Sequence, residues 1–429
     1  MDDNDISTAR RQLFRAAGAG TAGLLLAPGV VAQTFVPPSV VDTGRVEQGK
    51  VVFPTWRAPA DTPSAPTPAP LPPEQRVGFA VVGLGRLALE EILPAFGAAS
   101  KGRCVALVSG RPEKMRLVAA QYGIEPAACY SYEAFDSIAA NPAVQVVYIV
   151  LPNAMHRLYC ERAARAGKHV LTEKPMSISS KDGQAMVAAC ATAKVHLMVA
   201  YRIQYEAYNR RTMQMVRSGR YGRLLAIHAV NTQTVAEDGA QQWRHKRAMA
   251  GGGSLYDIGL YCLNTARFMT GEEPVEIYAN SYSPPGDPRF AEVEETISFN
   301  LRFPSHTIAN CLASYGGRDD KYQRFNLETV ALDMANAYQY KGQQLAVIGR
   351  RDDATSRDQW VLEQKNQFAA EIDHMAECVM TNRRPYTPGE EGVQDQVLME
   401  AIYRSVAEGR PMRLPVLEGK DRFRGPPPV

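Results

Sequence analysis

The 429-residue chain has little of what would mark several protein classes. Its seven cysteines stand singly, with no close pair to clamp zinc or run a CxxC redox cycle, so they read as core thiols and no metal centre is expected. Charge of one sign is also scarce. Against 48 Lys and Arg stand 45 Asp and Glu, a net +3, with no basic run to bind nucleic acid and no acidic block to make a solvated tail. No apolar run reaches the roughly 20 residues that cross a bilayer, so stable membrane insertion is not expected. The 45% hydrophobic and 22% charged residues that are present suit a globular chain with two domain cores.

Residues 1–32 place Arg10-Arg11 ahead of a weakly apolar, Ala- and Gly-rich stretch from Ala16 to Ala27, and Val30-Val31-Ala32 offers a cleavage site. This resembles a twin-arginine export signal, which implies the twin-arginine machinery as partner and the periplasm as destination. That route carries folded proteins, so a nucleotide could be loaded before export. Residues 33–75 crowd prolines at 54, 59, 63, 66, 68, 70, 72 and 73, and read as an extended arm without a core.

From residue 76 to 200, short apolar runs alternate with helical stretches. Strands are expected at Val77 to Val82, Val105 to Val108, Val146 to Leu151, His169 to Thr172 and His196 to Ala200. Helices are expected at Leu87 to Leu93, ended or kinked by Pro94, and at Glu113 to Tyr122, His156 to Ala166 and Lys181 to Ala193. Such alternation demands parallel strands with crossover helices, an α/β Rossmann dinucleotide-binding domain. Residues 201–429 change pattern. After a helix near Tyr208 to Ser218, strands at Leu224 to Val230, Val275 to Tyr282, Thr296 to Phe303 and Thr307 to Ala313 are separated by turns. Helices close the chain at Phe368 to Met380 and Val393 to Ala407. This predicts an α+β domain with a mainly antiparallel open sheet for substrate and subunit contacts.

Chemistry concentrates at a few strand ends. Gly83-Leu84-Gly85-Arg86-Leu87-Ala88 joins the first strand to the first helix. There Gly83 permits the turn, Gly85 lets backbone approach a pyrophosphate, and Ala88 packs close to the sheet. An NAD site usually ends its second strand with an acid for the ribose hydroxyls, but here Ser109-Gly110-Arg111 follows, with Lys114 a turn later. Ser109 can donate a hydrogen bond, and Arg86, Arg111 or Lys114 can meet a ribose phosphate, so NADP is favoured. Downstream, Gly251-Gly252-Gly253-Ser254 feeds a helix that Ser254 could cap, and Asp257 and Tyr261 share one helical face.

Together with Glu173-Lys174-Pro175 at the end of a strand, these motifs resemble the glucose-fructose oxidoreductase branch of the Gfo/Idh/MocA dehydrogenases. The likeness runs from about Val77 to Arg413. It implies that Leu151, Pro152, Asn153 and His156 form the loop beside the nicotinamide, with Tyr132 near the adenine. Glu173, Arg202, Trp243 and Arg244 are further cofactor contacts on the same ground. Lys174, Asp257 and Tyr261 become the catalytic set, and Tyr205 joins them against the sugar.

In the implied mechanism Tyr261 accepts a sugar hydroxyl proton as hydride leaves the same carbon, with Lys174 as the cation that lets a tyrosine act as base. Tightly bound NADP would let one sugar be oxidised and a second reduced in ping-pong fashion. An ordinary NADP-dependent sugar dehydrogenase and a non-catalytic sugar-binding protein are the alternatives. The family resemblance also implies a homodimer or homotetramer and, for the arm, docking on a neighbouring subunit. Gln204 and the loop from Tyr315 to Lys321 depart from the family pattern, and are expected to shift sugar preference.

Overall fold

A computed structural model describes residues 44–54 and 76–428 apart from residue 319. The expected signal at 1–32 and most of the arm lie outside the described residues. The described part of the arm is a small antiparallel hairpin, β1 (Arg45–Glu47) and β2 (Lys50–Val52).

The first sheet contains β3 (Val77–Val82), β4 (Gly102–Val108), β5 (Cys129–Tyr130), β6 (Val146–Ile149), β7 (His169–Glu173) and β8 (Leu197–Ala200). All six strands are parallel, in the order β5-β4-β3-β6-β7-β8. Every residue of β3 is buried, which is why its sequence is a continuous apolar run rather than an alternating one. Strand order reverses between β3 and β6, and a cleft opens at such a switch point.

The helix after β3 begins as a wide π-type turn over Ala88–Ile92 and continues past Pro94 as α1 (Leu93–Ala98). It does not end at Pro94. Pro94 falls in the first turn of α1, where a missing backbone N–H costs little. Next come α2 (Pro112–Tyr122), α3 (His156–Arg165) and α4 (Ser180–Ala193).

Beyond α5 (Ala207–Arg217) a nine-stranded sheet forms from β9 (Leu224–Thr232), β10 (Glu276–Tyr282), β11 (Thr296–Arg302), β12 (Ile308–Ser314), β13 (Lys321–Leu327), β14 (Ala331–Ala335), β15 (Gln344–Arg351), β16 (Ala354–Trp360) and β17 (Met412–Arg413). It is antiparallel except where β12 runs beside β9. One face packs on α6 (Leu260–Thr270) and α8 (Gly389–Glu408), while the other exposes Tyr278, Tyr282 and Ile308. The remaining long helix, α7 (Gln367–Thr381), packs near β3 and β4.

A buried ionic cluster joins α6, α8 and the end of the chain. Arg267, fully buried, contacts Glu273 at 2.8 Å, Glu391 at 3.0 Å and Asp395 at 2.6 Å. Arg424 adds a second cation, 2.6 Å from Glu391. Gln204 belongs here: its amide donates to Asn264 at 2.7 Å, and the whole residue is buried. The expectation that Gln204 selects sugars is therefore corrected, since the residue lies outside the cavity lining and its amide nitrogen is committed to the core.

Candidate active site

Gly83 follows β3 with φ +96°, and a Cβ there would sit 2.3 Å from the Val150 carbonyl oxygen, so glycine is required. At Gly85 an added Cβ would meet no protein atom within 4 Å. Its absence leaves a shallow cradle beside a helix N-terminus, a fit for a dinucleotide pyrophosphate.

One cavity of about 290 Å³ runs from this turn. The first domain lines it with Gly83, Leu84, Gly85, Arg86, Leu87, Tyr132, Leu151, Pro152, Asn153, Glu173 and Lys174. The second domain adds Arg202, Trp243, Arg244, Asp257 and Tyr261, together with Asn231, Gln233 and Lys321. Phe53 and Pro54, just after β2, join the lining from the arm. Arg86 and Lys114 lie over the Phe53 ring at 5.5 and 5.7 Å.

The chemical centre has a different wiring from the expected one. Lys174, in a cis Lys-Pro peptide at the end of β7, donates to the Asp257 carbonyl oxygen at 2.6 Å, with Oδ1 of Asp257 3.4 Å away. Burial opposes the charge on Lys174, but Tyr261 and Asp257 outweigh it and hold the ammonium above its usual range. Lys174 meets the face of the Tyr261 ring, 4.6 Å from its centroid. The cation at the hydroxyl is Arg202, whose Nε donates to Tyr261 Oη at 3.1 Å. Arg202 is itself held by Gln367 at 2.5 Å and the Tyr338 carbonyl at 2.6 Å. Asp257 Oδ2 accepts from the Tyr315 hydroxyl at 3.0 Å and lies 3.6 Å from Arg244 Nε. Burial, then Asp257, pushes the Tyr315 hydroxyl well above its ordinary range, so Tyr315 stays a donor.

Asp257 lies in a π-type turn, Leu255–Gly259, that leads into α6. Ser254 makes no side-chain cap. Glu294 caps instead, accepting from Gly253 N at 3.1 Å and Leu255 N at 2.9 Å. Behind Lys174, the Tyr148 hydroxyl touches Glu173 at 2.8 Å and Glu371 at 3.1 Å. Tyr148 has one proton to give, so one of the two carboxyls must carry its own. Burial raises both, and Glu371, also facing the charge of Glu173, lies well above the carboxylate range.

Several expected contacts lie outside the cavity lining. His156 is fully buried, its ring nitrogens facing the carbonyl oxygens of Pro175 and Leu151 at 3.0 and 2.7 Å, so it ties two loops together. Tyr205 bonds Thr387 at 2.9 Å in the core. Ser109 is buried, with its Oγ accepting from Arg111 N at 3.2 Å. Lys114 donates to the Leu84 carbonyl at 2.9 Å, reaching the glycine turn from behind. Asn153 lines the cavity but gives its amide to the Ala250 carbonyl at 2.8 Å. Of the described residues in the loop from Tyr315 to Lys321, Lys321 alone lines the cavity.

A dinucleotide turn facing a lysine, an aspartate and a tyrosine in one cleft defines a dinucleotide-dependent oxidoreductase. Residues 77–201 match the model of the oxidoreductase family with an NAD-binding Rossmann fold, and residues 209–329 match the GFO/IDH/MocA C-terminal domain. The chain belongs to the Gfo/Idh/MocA family. It is 33% identical over 341 residues to D-xylose 1-dehydrogenase [NADP(+)] of Haloarcula marismortui, covering 79% of this chain and 93% of that one. A 1,5-anhydro-D-fructose reductase of Ensifer adhaerens is 26% identical, with 77% and 97% covered. Among solved structures, aldose-aldose oxidoreductase from Caulobacter crescentus complexed with glycerol superposes with a TM-score of 0.76 at 42% identity, covering 79% of this chain and all of that one.

Proposed function

We propose that the chain is an exported, periplasmic sugar oxidoreductase that keeps NADP(H) bound, oxidises an aldose to its lactone and reduces a second sugar. The observation that carries this reading is the meeting of Tyr261, Arg202, Lys174 and Asp257 in the cavity that begins at the glycine turn. The names of the Haloarcula and Caulobacter relatives support sugars as substrates. The lack of an acid at the end of β4, where Ser109 stands, and the NADP(+) in the name of the Haloarcula relative support NADP over NAD. The cofactor supplies the acceptor for hydride. Tyr261 takes the hydroxyl proton, the Arg202 N–H holds the resulting oxygen charge, and Asp257 orients the sugar. In the second half-reaction Tyr261 returns the proton to a carbonyl oxygen. The decisive assay gives the purified chain an aldose and a ketose or second aldose, without free nucleotide, and follows both products by chromatography. Turnover of both is expected. Turnover only with added NADP would select the ordinary dehydrogenase, the reading that the Haloarcula relative's name favours.

Retention of the cofactor would rest on the arm, since Phe53 and Pro54 help close the cavity and Phe53 stacks beneath Arg86 and Lys114. Heating the purified chain should release NADP(H) rather than NAD(H). Phe53→Ala should weaken nucleotide binding about tenfold, as expected for a lost aromatic and cation contact. Equal nucleotide content after extended dialysis of both proteins would rule the arm out.

A further inference from the structure

Folded chains seldom bury a carboxamide that bonds to nothing, and an exception calls for a missing partner. Gln233, the residue after β9, is 1% exposed, and neither its Oε1 nor its Nε2 has a hydrogen-bond partner among the described residues. Asn231, also 1% exposed, is half committed. Its Nδ2 donates to the Ile258 carbonyl at 3.0 Å, while its Oδ1 has no partner. Side chains two apart on an extended segment share a face. Both residues line the cavity that contains Tyr261 and Lys174, and the bond to Ile258 anchors Asn231 to the neighbour of Asp257.

We infer that Asn231 and Gln233 form a hydroxyl-reading subsite that grips the sugar at carbons other than the one oxidised. This deepens the sugar oxidoreductase reading and rests on it. A sugar hydroxyl both donates and accepts. The Gln233 amide offers both functions, and Asn231 Oδ1 offers an acceptor close to the catalytic helix. Two neutral amides suit an uncharged polyhydroxyl substrate. A sugar acid or sugar phosphate would instead seek a cation, and the cations lining this part of the cavity are engaged: Lys321 donates to the Thr232 carbonyl at 3.1 Å, Lys174 and Arg244 face Asp257, and Arg202 holds the Tyr261 hydroxyl.

The test uses Tyr261→Phe holoenzyme, in which turnover is slowed enough for sugar binding to be read, with glucose and xylose as calorimetric probes. Adding Gln233→Leu should weaken binding of either aldose about tenfold, the worth of one hydrogen bond, and leave nucleotide content unchanged. Removing the hydroxyl that Gln233 reads should cost the parent a similar factor and cost the Gln233→Leu protein nothing, so a deoxy-sugar series locates the contact. Because the amide is unpaired without sugar, Gln233→Leu should not lower the sugar-free thermal midpoint. A lowered midpoint would make Gln233 a structural residue and overturn the inference. Unchanged aldose affinity, or a deoxy penalty that persists in the variant, would overturn it too. Asn231→Leu gives an independent second variant, with the same tenfold weakening expected. Tighter binding of gluconate or glucose 6-phosphate than of glucose would refute the neutral-sugar assignment. If no aldose bound to the Tyr261→Phe parent at all, the sugar reading itself would fall, and the inference with it.

Discussion

Turnover should fall by about 10²–10⁴-fold in Tyr261→Phe, the range for a lost acid-base group, with folding and nucleotide content preserved. Only the hydroxyl is removed. The ring that Lys174 and Arg202 cover at 4.6 and 4.8 Å remains, so packing is kept and the proton path is not. Lys174→Ala should cost at least as much, because it also strips the Asp257 carbonyl of its 2.6 Å donor. The measurement is single-turnover reduction of NADP by aldose, which isolates hydride transfer from later steps. A Tyr261→Phe protein that reduced its nucleotide at the parent rate would take the tyrosine off the proton path.

Arg267→Leu lowers the unfolding free energy by about 3–5 kcal/mol, the usual penalty for stripping a buried ion cluster of one partner. Without Arg267, Glu391 keeps Arg424 at 2.6 Å, while Glu273 and Asp395 lose the guanidinium that pairs them. The loss should depend on pH. Burial lifts the Asp395 carboxyl to about 6 even with Arg267 beside it. The folded chain thus binds that proton more tightly than the unfolded chain does, and this group's contribution shrinks as pH rises from about 4 toward 6. Losing the guanidinium pushes that window upward. Urea titrations should show a smaller deficit for the variant at pH 5 than at pH 8, and an equal or reversed difference would contradict the assignment of charge.

The first domain was legible because its chemistry is local. Buried parallel strands such as β3 leave continuous apolar runs, and Gly83 and Gly85 sit next to the strand and helix they connect. The second sheet was read only in part. Strand β13 alternates polar and apolar residues and β16, at the sheet edge, is mostly polar, so neither has an apolar run to announce it, whereas Leu345 to Ile348 in β15 is a short apolar run that went unread. Contacts that depend on chain crossings left no local trace. The Arg202 to Tyr261 bond spans 59 positions, and the Glu294 cap on Leu255 spans 39. His156, Tyr205 and Gln204 were the right residue types at the right spacing, but spacing does not say which way a side chain turns, and each turned into the core. Lys174 was expected to activate the tyrosine because its motif is conspicuous. Arg202, buried under Tyr340 and Phe368, was expected as a cofactor contact, and its bond to the Tyr261 hydroxyl left no local signal.

The hydrogen bond from Lys174 to the Asp257 carbonyl crosses from one domain to the other, so the reaction centre also serves as the clasp between them. Swinging the domains apart would break that bond and hand the Lys174 ammonium to water, while Asp257 kept Arg244 and the Tyr315 hydroxyl beside it. Opening and charge are therefore one coordinate: the cleft cannot gape without rearranging the groups that move the proton.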